Sequence, residues 1–282
     1  MSLILSYLIW DPNPGMFSFN LPFLHRPILW YGFFFAFGFF VGYWVLIYFL
    51  RRYFRYLPQF SKEDVRKISS KIAEQLTFFV VLGALIGARL GDVLFYQNWS
   101  EIIQNPLGVI EVWQGGLASH GGACGILIAL GLFSRTRKIP FWQCLDFVVV
   151  PTAIAAVFIR IGNFFNQEIL GTQTTLPWGV IFLHPVDRGP IVPRHPAQLY
   201  EATAYLLIFI VLFIYASVHP RFEKPGRLTG LFLLLVFGCR FSIEFLKVEQ
   251  SNWLVNGALL TMGQWLSIPF LALGLYLLIR KK

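Results

Sequence analysis

The sequence predicts an all-α integral membrane protein, a bundle of about seven transmembrane helices with a small extracytoplasmic head between the fourth and fifth spans. Three observations carry that expectation. Hydrophobic residues make up 56% of the 282-residue chain and aromatics 18%, with a mean hydropathy of +0.63, which exceeds what one soluble core can hide. Several uninterrupted apolar runs reach the roughly 20 helical residues needed to cross about 30 Å of hydrocarbon. Lys and Arg gather in alternate connections between those runs.

Seven runs are expected, approximately Ile28 to Leu50, Ile72 to Phe95, Gly115 to Phe133, Phe141 to Ile161, Ala197 to Val218, Leu228 to Leu246 and Gly257 to Ile279. Each is continuous rather than alternating, so each satisfies its own backbone as a helix, which argues against a barrel. The first carries Gly38 and Gly42, and the second Gly83, Gly87 and Gly91, at four-residue spacing that lets helix backbones approach. Arg89 and Asp92 on the second run can pair across one turn. The third opens in a glycine-rich stretch around His120 that lacks the Lys-Ser/Thr ending of a nucleotide loop. The whole chain reads as one polytopic membrane domain, residues 1–282, with residues 162–196 inserted as the head.

Cytoplasmic loops collect Lys and Arg. Arg51, Arg52, Arg55, Lys62, Arg66, Lys67 and Lys71 follow the first span, and Arg135, Arg137 and Lys138 the third. Arg221, Lys224 and Arg227 follow the fifth, and Arg280, Lys281 and Lys282 the seventh. These ends belong inside. The connections with Glu101 and Glu111, residues 162–196, and Glu249 to Asn256 face outward, as does the N-terminus. The formal charge of +9 therefore resides mostly in inside loops, and no nucleic-acid partner is implied. Met1 to Trp10 has no basic n-region and reads as a retained helix or strand at the outer interface. Cys124, Cys144 and Cys239 fall inside or at the edge of spans with no paired spacing, as small packing residues do.

Polar residues concentrate toward one end of the spans. The fourth closes Arg160-Ile-Gly-Asn163-Phe-Phe-Asn166-Gln-Glu168-Ile-Leu-Gly171, and ionisable groups at membrane depth persist where they pair, line a polar cavity or do chemistry. The sixth ends Arg240-Phe-Ser-Ile-Glu244, whose spacing favours an internal ion pair. Arg160 and Arg240 together would also suit a phosphate, for which phospholipid head groups are the nearest source. His120 can accept a proton near neutral pH, against the plainer reading of a packed, hydrogen-bonded histidine, and no metal-ligand spacing accompanies it. Pro196 can open the fifth helix, with Glu201 in its first turns favoured by the helix dipole. The prolines, glycines and β-prone run Trp178 to Leu183 suggest strands and turns in the head.

These blocks resemble one family over nearly the whole chain, the prolipoprotein diacylglyceryl transferases of bacterial inner membranes. The likeness lies in Trp30-Tyr31-Gly32, Gly-Gly-Leu-Ala-Ser-His120-Gly-Gly, the Arg160 to Gly171 block, His195-Pro-Ala-Gln-Leu-Tyr-Glu201 and Arg240-Phe-Ser-Ile-Glu244-Phe. It implies transfer of a diacylglyceryl group from phosphatidylglycerol to the lipobox cysteine thiol of a prolipoprotein signal peptide, releasing glycerol phosphate. The partners implied are phosphatidylglycerol, such signal peptides and membrane lipid; no metal or soluble cofactor is implied. The matching positions are Tyr31, His120, Arg160, Asn163, Glu168, Gly171, Arg240 and Glu244. Arg160 and Arg240 would stabilise the phosphate leaving group. A thiol of pKa about 8.5 needs a base, for which His120 is the candidate. Tyr31, Asn163, Glu168, Gly171 and Glu244 would bind or position substrate. The chain departs from the family pattern in reading Val248-Glu-Gln-Ser251 after Lys247 and in having Val236 where an aromatic hydroxyl is expected. The alternative, a transporter or channel, needs a continuous polar route, whereas the inner halves of the spans show few ionisable residues.

Overall fold

The computed structural model describes residues 7–13, 15–17, 28–95, 97, 102–103, 106–110, 116, 118–220, 222, 224–248 and 259–280. Seven long helices account for most of them: α1 (Trp30–Arg55), α2 (Lys62–Phe95), α3 (Ser119–Arg137), α4 (Phe141–Phe165), α5 (Ala197–Val218), α6 (Arg227–Ile243) and α7 (Met262–Ile279). Short strands are β1 (Leu8–Trp10), β2 (Gly15–Phe17), β3 (Ile28–Leu29), β4 (Val180–Phe182) and β5 (Pro193–Arg194). All seven expected spans contain a helix. Six of the helices are long and apolar enough to cross a membrane, α6 being counted with the 3₁₀ turn Glu244–Leu246 that extends it. The protein is thus a multi-pass membrane protein. The glycines, serine and histidine that open α3 lower its apolarity. The expected span starts at Gly115 and Gly257, residues 1–6, Glu101, Glu111 and Glu249 to Asn256 lie outside the described residues.

The chain divides into two compact units, one comprising residues 1–45, 148–219 and 226–282 and the other residues 46–147 and 220–225. In the first, α1 meets α4 through small residues: a Cβ on Gly38 would lie 3.2 Å from the Ala155 Cα, and one on Gly162 3.2 Å from the Tyr31 Cα. Helices α6 and α7 meet the same way, at Gly230 and Gly274. Strand β1 pairs in parallel with β4, Leu8 to Val180 through Trp10 to Phe182, and β5 pairs antiparallel on the other side of β4. Phe164, Leu170, Val180 and Phe182 form a buried core under this sheet, joined by Trp10 and Leu199. The β-prone run expected from the sequence is therefore a strand, and Leu8 to Trp10 is a strand too.

In the second unit α2 and α3 run antiparallel on a glycine seam. A Cβ on Gly91 would lie 2.8 Å from the Gly121 Cα, and one on Gly87 2.7 Å from the Gly125 Cα. Gly121, beside His120, and Gly125 thus serve helix packing, while His120 itself is exposed. Arg89, 8% exposed, donates to Val109 O at 2.9 Å, to Gly116 O at 3.1 Å and to Gly108 O, and lies 3.4 Å from Asp92. The expected Arg89–Asp92 pair exists, as part of a clamp on the segment between α2 and α3. Ser61 and Asp64 cap α2 reciprocally, through bonds of 3.2 and 3.1 Å.

Candidate functional site

The end of α4 turns sharply in the Asn163 to Gly171 block. Glu168 N donates to Asn163 O at 3.1 Å, and the chain passes through positive φ at Gln167 (53°) and Ile169 (59°). A β-branched residue in that region stores strain, which here is over-determined by bonds on all sides. Gln198, buried on α5, donates from Nε2 to Glu168 O at 2.7 Å. Gly171 N donates to His195 O at 3.2 Å, Thr172 N to Leu246 O at 2.8 Å and Val248 N to Leu170 O at 3.1 Å. The block is thereby held between the start of α5 and the end of α6. A Cβ on Gly171 would lie 2.6 Å from the His195 Cβ and 2.9 Å from Leu246 O, so the close approach requires glycine.

Arg160, on the last turns of α4, is the most heavily bonded cation of this region. Its Nε lies 2.9 Å from Glu201 Oε2, and its Nη1 donates to Asn163 Oδ1 at 3.0 Å. Its guanidinium carbon is 6.0 Å from the Tyr205 ring centroid. The Glu201 side chain is fully buried and holds a second cation on its other oxygen, with Lys247 Nζ 2.7 Å from Oε1. Lys247 also lies 3.4 Å from Glu244 Oε2. The Glu244 carboxyl rests against Gly263 at the start of α7, leaving no room there for a Cβ.

The ion pair expected between Arg240 and Glu244 is not formed. The backbone still keeps helical spacing through Glu244, whose N–H donates to Arg240 O, but the carboxylate is taken by Lys247 and by the close approach of Gly263 instead. Arg240 makes no hydrogen bond or salt bridge among the described residues; its charge, like that of Arg160, reaches the Tyr205 hydroxyl. Both arginines thus lie within electrostatic range of one aromatic side chain, and Arg160 rests against its ring. Tyr31 lies against Gly162, within electrostatic reach of Arg160 and Glu168.

Glu168 accepts a hydrogen bond from Asn166 Nδ2 at 2.9 Å. Burial pushes its carboxyl above the usual carboxylate range, against the opposite pull of Asn166, Asn163 and Arg160. Tyr31, Arg160, Asn163, Glu168, Gly171, Arg240 and Glu244 all belong to the first unit; His120 belongs to the second. Glu201, Lys247, Tyr205 and Gln198 are the residues that sequence reasoning left out. Glu201 is legible in the sequence as a helix-dipole residue and as the end of the His195 to Glu201 block, without a site role, and Lys247 only as the last residue before the chain leaves the family pattern.

Comparisons agree over the full length. A sequence model described as prolipoprotein diacylglyceryl transferase matches residues 18–280. The chain is 40% identical to the phosphatidylglycerol–prolipoprotein diacylglyceryl transferase of Porphyromonas gingivalis, covering 98% of this chain and 95% of that one. It is 38% identical to the Bacteroides fragilis protein of the same name, over 98% and 96%, and 34% identical to that of Protochlamydia amoebophila, over 99% and 96%.

Proposed function

The chain belongs to the prolipoprotein diacylglyceryl transferase family, and from that premise we propose how its polar residues divide the reaction. The protein transfers the diacylglyceryl group of phosphatidylglycerol to a prolipoprotein cysteine. A thioether requires that the thiol sulfur attack the glyceryl carbon that bears the phosphate. The C–S bond forms, the C–O bond breaks, the thiol proton passes to a base, and glycerol phosphate departs.

The departing group gathers negative charge on phosphate oxygens, so preorganised cations lower the barrier. Arg160 and Arg240 fill that role, Arg160 paired with Glu201 and hydrogen-bonded to Asn163. His120 takes the thiol proton. Tyr31 and Asn163 bind the head group, Glu168 and Glu244 orient it or the peptide, and Gly171 keeps the turn close to its neighbours. The acceptor cysteine belongs to a lipobox. The protein resides in the bacterial cytoplasmic membrane as one polytopic domain, with the N-terminus and the head of residues 162–196 outside and the C-terminus in the cytoplasm. The outer placement of the cluster suits lipid entering laterally from the outer leaflet. The transporter alternative has nothing in the family match to favour it.

The full-length family match carries this reading. Its test is the purified protein with phosphatidylglycerol vesicles and a lipobox peptide, beside a Cys-to-Ser peptide and the Arg160→Ala enzyme. A diacylglyceryl mass gain with glycerol phosphate release, requiring both Cys and Arg160, is the expected result. Undiminished transfer by Arg160→Ala would overturn the phosphate assignment.

A further inference from the structure

Lys247 takes no part in the chemistry above, yet its side chain is only 5% exposed and its ammonium lies 2.7 Å from Glu201 and 3.4 Å from Glu244. Its position is fixed by the backbone: Lys247 N donates to Glu244 O at 3.2 Å, and the residue pairs antiparallel with Gly171. The carboxylate it meets is the one paired with Arg160. A guanidinium matched by one buried carboxylate is a closed, neutral pair, with much of its attraction for a third charge cancelled. Arg160 with Glu201 alone would be such a pair. Lys247 changes this: its ammonium takes the other oxygen of the same carboxylate, so two cations, Arg160 and Lys247, share the one Glu201 charge.

We propose that Lys247 is a charge-balancing residue: it offsets Glu201, so that Glu201 can hold Arg160 in an ion pair without cancelling the charge Arg160 presents to the lipid phosphate. This rests on the transferase reading of the site. Glu201 and Lys247 are positioning residues, acting through Arg160 rather than on the reacting atoms.

The test measures KM for phosphatidylglycerol, diluted in neutral-lipid vesicles, and kcat with saturating lipobox peptide, for the full-length chain and three variants. Lys247→Gln should raise KM for phosphatidylglycerol about tenfold or more, the scale of one charge-assisted contact, and lower kcat less. Lys247→Arg should stay near the wild type. The double variant Glu201→Gln/Lys247→Gln, which removes the carboxylate together with its second cation and so frees the Arg160 charge again, should recover most of the lost KM although it removes two buried ionic groups. A merely structural role predicts the reverse, a double variant at least as impaired as Lys247→Gln; that result, or an unchanged KM in a folded Lys247→Gln protein, overturns the proposal. Wild-type transfer on the same vesicles tests the transferase reading separately, since the proposal concerns only ratios to it.

Discussion

Replacing Arg160 with lysine separates the geometry of the guanidinium from its charge. In the structure the Nε edge is committed to Glu201 at 2.9 Å and Nη1 to Asn163 at 3.0 Å, contacts that a planar fork makes together. A lysine ammonium is a point donor on a flexible stem; placed against Glu201 it leaves Asn163 unmatched and offers no rigid edge to a phosphate. One hydrogen bond to a charged group is then lost, worth about 1.5–3 kcal/mol, or about 10- to 150-fold in rate if it is made in the transition state. The measurement is the initial rate of diacylglyceryl transfer to a lipobox peptide on phosphatidylglycerol vesicles, for wild type, Arg160→Lys and Arg160→Ala, with thermal unfolding in detergent to confirm that each is folded. Lysine should fall between wild type and alanine. A lysine enzyme within about threefold of wild type refutes the argument from fork geometry, and one no better than alanine refutes the argument from charge.

Gly171→Ala should lower the thermal midpoint, because its Cβ would fall 2.6 Å from the His195 Cβ and 2.9 Å from Leu246 O; overpacking of this kind costs about 1–3 kcal/mol, and an unchanged midpoint would contradict the packing described. Glu168 should make stability depend on pH. Its folded-state carboxyl titrates above the ordinary range because of burial, so the folded protein holds the proton more tightly than the unfolded one. This contribution is fully present below the ordinary glutamate pKa of about 4.3 and is lost as pH rises through the raised value. Thermal midpoints measured across that window should fall with pH in the wild type and fall less in Glu168→Gln; parallel profiles would refute the assignment.

What the sequence made legible follows from which interactions are local. The expected limits of the fifth span, Ala197 and Val218, are those of α5, because apolar run and helix end together there. The second span was expected from Ile72, but α2 begins at Lys62. Hydropathy marks where a helix can enter lipid, whereas the Ser61–Asp64 cap sets where the helix starts, ten residues earlier. The glycine spacings named packing seams without naming the partner. In the site, the Arg160–Asn163 contact spans three residues and could be read from helical spacing. The contact that organises the cluster, Glu201 with Arg160 and Lys247, joins residues 41 and 46 positions apart, and a dipole explanation of Glu201 was locally sufficient. For Arg240 and Glu244 the helical spacing is real, with Glu244 N on Arg240 O, but the carboxylate is claimed by Lys247 and lies against Gly263, which spacing alone does not reveal.

The placement of Glu201 also explains why so many charges can be buried here. Helix α5 hides a single stripe, Gln198, Glu201, Tyr205, Ile208, Leu212 and Ala216, at the three- and four-residue steps of one helical face. Its deeper half is ordinary apolar packing. Its first three turns carry an amide, a carboxylate and a phenol that serve, in order, Glu168 O, the Arg160 and Lys247 cations, and the two arginine charges. A buried ion costs several kcal/mol unless its partners are held in place. A rigid helix anchored by its apolar half supplies that hold, so the energy that fixes Glu201 comes from packing farther along the same face. Pre-set in this way, the arginines have little to reorganise when charge develops on a leaving phosphate, and in electrostatic catalysis it is the reorganisation avoided that lowers the barrier.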